Sequence, residues 1–470
     1  MIDFIDYIQS FGKPINSSIT LQSLKYLRTQ FDLEIEEITY GELEKWRFGS
    51  RGDLRHDSGK FFKISGAKVE DKTSGYVKYQ PVIDQPEIGI LGLLFCLKPT
   101  LKFYLQAKIE PGNIENVQYS PTVQATKSNY SGVHNGKRVE FIDYFSDESK
   151  SVIKRQNQSE HGYKFYRKRN DNVLSRVESE DDVEGKTKFR WLSLSEIRFL
   201  LSQPHCVNMD TRSVLCSFFP GEGVSHGDLI EVVRNYDFTD IEKDFFVSSL
   251  VNNIFYRDLS ELIAWLTARK ERRRFISEMI PLKDLYSKGW KRTEKALYSE
   301  DDPSFEQVNL RVFCSSREVL GWTQPIVKDN FPKIYVFLFV KIRDVMHVIV
   351  KFTEEKFSYN GGEIGPTISG ESADANVEET LASEFAMTAD SFEVLYDVFQ
   401  SEEGGRFYKQ KNRYVLAMSN EAVQWNEDSY MPMTLFQIRK LMDNECFANI
   451  ECRTLTTISS FFWDSKRETL

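Results

Sequence analysis

Between residues 101 and 130 the chain reads LKFYLQAKIEPGNIENVQYSPTVQATKSNY, a segment richer in uncharged hydrogen-bonding side chains than any other. Lys102, Tyr104, Gln106 and Lys108 alternate with Leu101, Phe103, Leu105 and Ala107, so a strand turns the first set to one face and the second to a core. Ser120, Thr122, Gln124, Thr126 and Ser128 repeat the alternation, with Val123 and Ala125 opposite. Exposed faces of half-buried sheets are ordinarily rich in Lys and Glu. Amides and hydroxyls in this number suit a polyhydroxylated ligand better, because they both donate and accept. Titratable groups lie among them: Lys108, Glu110 and, further on, His134, whose ordinary pKa is near neutral. The expectation is a binding cleft held on two strands.

The strands are joined through Glu110-Pro111-Gly112-Asn113, which places Pro and Gly at the centre of a type II turn. On a larger scale the chain repeats itself at a spacing of about 244 residues. Trp46 matches Trp290, Gln80-Pro81-Val82 matches Gln324-Pro325-Ile326, and Pro121-Thr122-Val123 matches Pro366-Thr367-Ile368. SEHGYKFYRKRN (159–170) matches SEEGGRFYKQKN (401–412). Ser193-Leu194-Ser195-Glu196 and Thr434-Leu435-Phe436-Gln437 are both capping boxes, each opening a short amphipathic helix. Beyond them Asn208, Asp210 and Arg212 return as Asn449, Glu451 and Arg453. The expected organisation is α+β, with a first module at 15–225, a helical linker at 226–265 and a second module at 266–470. The polar set around Lys108 becomes His347, Ile349, Lys351 and Thr353 in the second copy, so its pocket reads as degenerate.

Composition narrows the function. With 61 basic against 70 acidic residues the net charge is -9, which argues against a nucleic-acid or anionic-membrane partner. The one basic run, 269–274, reads as a solvated helix face. MIDFIDYIQSF lacks the basic lead and apolar core of a signal peptide, and the longest apolar run, Ile88 to Leu97, is too short to cross a bilayer. Six cysteines without CxxC spacing read as reduced thiols, so a cytoplasmic location is expected. His and Cys are too scattered for a zinc site, and neither a GxGxxG nor a P-loop is present.

QAKIEPGN (106–113), SPTVQATKSNY (120–130) with Val133-His134, FYRKRN (165–170) and FRWLSL (189–194) together resemble the signature of the NDP-hexose 2,3-dehydratases of deoxysugar biosynthesis. The resemblance runs over nearly the whole chain. It implies tandem Nudix-hydrolase-like modules, each a mixed sheet flanked by helices, and a homodimer. The acidic metal-holding helix of a Nudix pyrophosphohydrolase is missing from both halves, so hydrolysis is not expected. The implied substrate is dTDP-4-keto-6-deoxyglucose or a related nucleotide ketosugar. Its C4 ketone acidifies the C3 hydrogen; a base removes that proton, the C2 hydroxyl departs, and the enol becomes a 3,4-diketo-2,6-dideoxyhexose. That scheme requires no cofactor and no metal.

Within the scheme Glu110 is a candidate base, though a carboxylate beside a turn can equally be a turn residue. His134 is an equal candidate for acid or base. Lys108 and Tyr130 are candidate donors to the enolate or the leaving hydroxyl. Gln106, Asn113, Gln118, Ser120, Thr122, Gln124, Ser128 and Asn129 suit sugar and base recognition. Arg167 and Arg169 can meet a diphosphate as forked donors or form surface ion pairs. Trp191 either stacks on a nucleobase or belongs to the core. The alternative function is a non-catalytic nucleotide-sugar-binding or regulatory protein on the same scaffold.

Overall fold

The computed structural model describes residues 4–12, 17–127, 138–315 and 319–464. It is a mixed α+β protein with two similar halves. Gly89–Lys98 (GILGLLFCLK) is apolar almost throughout, as a strand covered on both faces must be. It pairs in parallel with Arg169–Ser179 and antiparallel with Lys102–Ile109, at the centre of a seven-stranded sheet. In the second half Lys333–Ile342 takes the same place, between Lys411–Ser419 and Val345–Thr353.

One face of the first sheet packs Leu93, Phe95, Phe103 and Leu105 against Leu194, Ile197, Val214 and Leu215 of the following helices. The other face buries Leu94, Tyr104, Val123, Phe145 and Phe189. The expected polar face of Lys102–Ile109 is therefore apolar around Tyr104 and polar at its two ends, where Lys102 pairs with Glu180 and Lys108 lies beside Glu110. A second correction concerns the run from Ser120. It is not one strand: Val117–Ser120 pairs with Lys102–Ile109, and Val123–Ala125 pairs with Gly89–Lys98.

The switch falls at Pro121-Thr122, where proline has no N–H for a ladder. Thr122 Oγ accepts from the Leu94 amide at 2.9 Å and donates to the Tyr104 carbonyl, tying the two strands together. Thr367 does the same between the Leu338 amide and the Ile349 carbonyl, at 2.9 and 2.6 Å.

The halves interlock. Leu33–Ile38, early in the chain, pairs with Phe305–Cys314 in the second half, and Phe275–Ile280 pairs with Lys63–Asp71 in the first. Trp46 Nε1 donates to the Thr323 carbonyl at 2.9 Å and Trp290 Nε1 to the Tyr79 carbonyl at 2.8 Å. The segment between the modules is helical, as expected, but Asp240–Leu250 is more than a linker: Phe246 and Leu250 enter one core and Phe245 the other. Boundaries drawn at 225 and 266 therefore cut through shared sheets and cores. Among the described residues no helix is long and apolar enough to cross a membrane.

Candidate active site

Glu110 ends the strand Lys102–Ile109 and turns into the seam between the halves. Its side chain is almost fully buried. Gln124 Nε2 donates to its Oε1 at 3.0 Å, and Lys108 Nζ lies 3.5 Å from the same oxygen. Gln124 cannot flip, because its own Oε1 accepts from Ser120 Oγ at 2.8 Å and from Asn208 Nδ2 at 3.1 Å. Asn208 is fixed in turn as the N-cap of helix Met209–Cys216, accepting from the Thr211 amide. Glu110 Oε2 has no hydrogen-bond partner among the described residues. A carboxylate with one oxygen anchored and the other buried without a partner is suited to taking a proton from a bound ligand.

The turn after Glu110 closes with the Asn113 amide on the Glu110 carbonyl at 3.1 Å. Gly112 does not take the positive φ of a type II turn. Its reason is proximity: a Cβ there would stand 1.8 Å from the Phe407 carbonyl oxygen. The Gly112 amide donates to the Gly404 carbonyl at 2.7 Å, and the Lys409 amide to the Gly112 carbonyl at 2.8 Å. The second half's SEEGGRFYKQKN loop thus forms the far wall of the first half's cleft.

That loop brings Glu403 and Arg406, and the first half adds Asp210, Glu160 and Lys168. Burial pushes Glu403 up to about 7, with Glu160 and Glu110 reinforcing the shift and Arg406 and Lys168 opposing it. Asp210 is raised well above the carboxylate range by burial and by Glu403, Glu160 and Glu110, against Lys108. Burial lowers Lys168 to about 8, although Glu160, Glu403 and Glu87 pull it back. Glu403 and Asp210 are both raised, so the site keeps protons near neutral pH. No group of His, Cys, Asp or Glu among the described residues has an arrangement that would hold a metal ion.

The second half has a counterpart. Glu355 corresponds to Glu110; its Oε1 accepts from Asn449 Nδ2 at 3.0 Å and its Oε2 from the Gly162 amide at 2.6 Å. His161 fills the middle, with Nε2 at 3.0 Å from Glu402 and Nδ1 at 3.0 Å from Glu451. Burial alone would lower His161, yet the two carboxylates hold it well above its ordinary value. Glu402, despite burial, is drawn down to about 2 by His161, Arg212 and Asn412. Both oxygens of Glu355 are occupied, where Glu110 keeps one open.

Other expected site residues have structural partners of their own. Thr122 has donor and acceptor engaged by backbone, and buried Gln118 accepts from Ser401 Oγ at 2.8 Å across the seam. Trp191 packs on Tyr104 with ring centroids 4.7 Å apart, six residues from Glu110 along the strand, or about 20 Å. Arg167 and Arg169 face the second half's turn instead: the Arg167 amide donates to the Phe357 carbonyl, and the Arg169 guanidinium lies 3.7 Å from the Tyr359 ring centre. Their repeat partners, Lys409 and Lys411, belong to the loop that walls the first cleft. Gln106 is partly buried between Phe189 and Ser120, one pair from Lys108. Asn113 holds the turn through Nδ2 to the Asn116 carbonyl at 3.1 Å. His134, Tyr130, Ser128 and Asn129 lie outside the described residues.

Sequence reasoning missed Glu160, Lys168, Asp210, Glu403 and Arg406 as cleft residues. The signal was present in the repeat: both loops open on Ser-Glu, and Asp210 follows its paired N-cap asparagine by two.

The seam between the two similar α+β halves gathers carboxylates, cations and oriented amides, a candidate site for acid-base chemistry on a polar ligand. A sequence model of the NDP-hexose 2,3-dehydratases matches residues 18–218 and 259–458, and the chain belongs to that family of hydro-lyases. The dTDP-4-dehydro-6-deoxy-alpha-D-glucopyranose 2,3-dehydratase of Saccharopolyspora spinosa is 33% identical over 441 residues, spanning 92% of this chain and 88% of its own. The protein of the same name from Amycolatopsis orientalis is 34% identical over 436 residues, spanning 90% and 85%. A C. elegans Ap4A hydrolase structure overlaps 24% of this chain and 86% of its own at 14% identity and a TM-score of 0.19.

Proposed function

We propose that the Glu110 cleft removes water from a nucleotide-linked 4-keto-6-deoxyhexose, with dTDP as the carrier. The observation that carries this reading is the unpartnered Glu110 Oε2, held in place by the Gln124–Asn208 relay from its other oxygen. Glu110 takes the C3 proton, and the electron pair moves toward the C4 ketone. Lys108, beside Glu110, is placed to stabilise the enolate oxygen. Collapse of the enolate forms the C2–C3 double bond as the C2 hydroxyl leaves with a proton. The C3 enol then becomes the ketone by gaining a proton at C2 and losing one at O3. Arg406 and Lys409, on the second half's loop, are the cations this reading assigns to the diphosphate.

The same reading takes each half as a Nudix-like module of a duplicated chain, supported by the matching sheets, and the protein as a cytoplasmic homodimer. The named relatives support the dTDP carrier. The test is to incubate purified protein with dTDP-4-keto-6-deoxyglucose, trap carbonyl products by hydride reduction and weigh them. A sugar lacking one water is the expected product. Intact sugar bound tightly would make the chain a binding protein instead.

A further inference from the structure

Three positions correspond between the two clefts: Glu160, Glu403 and Asp210 in the first, Glu402, His161 and Glu451 in the second. In the second cleft the middle position is an imidazole bonded to both neighbours. In the first it is a carboxylate among carboxylates. The groups that face Glu403 are Arg406 from its own loop, Glu160 and Lys168 from the first half's loop, Glu110 from the strand end and Asp210 from the helix.

Gly405 lies between the two reacting candidates and close to both. A Cβ there would lie 3.2 Å from Glu403 Oε1 and 3.4 Å from Glu110 Oε1. Glu110 Oε2 and Glu160 Oε2 have no partner among the described residues, and both side chains are more than nine-tenths buried. Glu403 itself is largely but not fully buried.

We propose that Glu403, supplied by the second half, is the catalytic acid that protonates the departing C2 hydroxyl. This rests on the dehydratase reading of the cleft. The protons balance through one cycle: Glu110 accepts the C3 proton, and the Glu403 carboxyl gives its proton as the C2–O bond breaks, so water leaves. In the tautomerisation Glu110 returns its proton to C2, and the O3 proton passes to Glu403. Both side chains end as they began. Burial and the neighbouring acids hold Glu403 near 7, so it is largely loaded below neutrality and loses its proton as the pH rises.

The test compares the full-length wild type with Glu403→Gln on two substrates, dTDP-4-keto-6-deoxyglucose and its 2-deoxy-2-fluoro analogue. Fluoride leaves without being protonated. Water loss by the variant is expected to drop about 10²-fold or more in kcat, with KM little changed. Fluoride release by the same variant is expected to stay near the wild-type rate, which also reports on folding. The fall in wild-type kcat for water loss at alkaline pH is expected to disappear. Equal loss of both reactions, or undiminished water loss, overturns the assignment. A wild type that releases neither water nor fluoride overturns the dehydratase reading itself.

Discussion

The amide of Gly112 donates to the carbonyl of Gly404 at 2.7 Å, joining the turn after Glu110 to a loop nearly three hundred positions later. Neither position tolerates a side chain where it stands. A Cβ on Gly404 would lie 2.3 Å from Asn113 Oδ1 and 2.7 Å from the Asn113 amide. The Glu110 site is a product of both halves, and this contact holds them together beside it.

Gly404→Ala is expected to push the second half's loop away from the first cleft. Overpacking of this kind costs roughly 1–3 kcal/mol of stability. Activity is expected to suffer more than stability, because Glu403 and Arg406 ride on the displaced loop. Thermal unfolding beside kcat/KM checks this; a folded variant with full activity would uncouple the loop from the site.

Thr122→Val separates a structural threonine from a ligand-binding one. The change leaves the buried Leu94 amide and Tyr104 carbonyl short of a partner, at a cost of about 1–3 kcal/mol. Denaturant unfolding is expected to show that loss, while KM for the ketosugar stays near wild type. A raised KM with unchanged stability would return Thr122 to the binding face.

The His161 triad makes the seam pH-dependent. Its folded-state pKa is raised above the ordinary value of about 6.5, so its stabilisation is complete below that value and lost as pH rises through the folded-state one. Glu402, held at about 2, works in the opposite sense: its contribution is present above its ordinary value and lost as pH falls toward 2. His161→Gln leaves two buried carboxylates facing each other, and a loss of about 3–5 kcal/mol is expected near pH 6. Thermal unfolding across pH is the measurement, with a flattened alkaline fall in the variant.

Much of this architecture was legible because each half repeats the same local rules. The capping boxes at Ser193 and Thr434, the return of Asn208 as Asn449, and the apolar central strands are local patterns; the structure has the boxes in place and makes both asparagines N-caps. What sequence could not give is which half each piece serves. Arg169 sits in the first half's motif yet lies on the Tyr359 ring, while Glu403 sits in the second half's and walls the first cleft. The exchange of Leu33–Ile38 and Phe275–Ile280 between sheets leaves no trace in periodicity, because a strand reads alike whichever sheet it joins. Gly112 reads as a turn glycine, whereas its packing against Phe407 depends on a segment far along the chain.

The most direct test of the account is the dehydration rate of Glu110→Gln beside that of Glu355→Gln. Burial and the Glu451 and Glu363 charges push Glu355 up to about 8, so glutamine matches its charge near neutrality and costs it one of the two bonds it accepts, from Asn449 Nδ2 or the Gly162 amide. Glu110→Gln is expected to bind the nucleotide sugar and lose about 10²–10⁴-fold in kcat, whereas Glu355→Gln keeps the wild-type rate. Full activity in Glu110→Gln, or its loss in a folded Glu355→Gln, would contradict a single working cleft at Glu110.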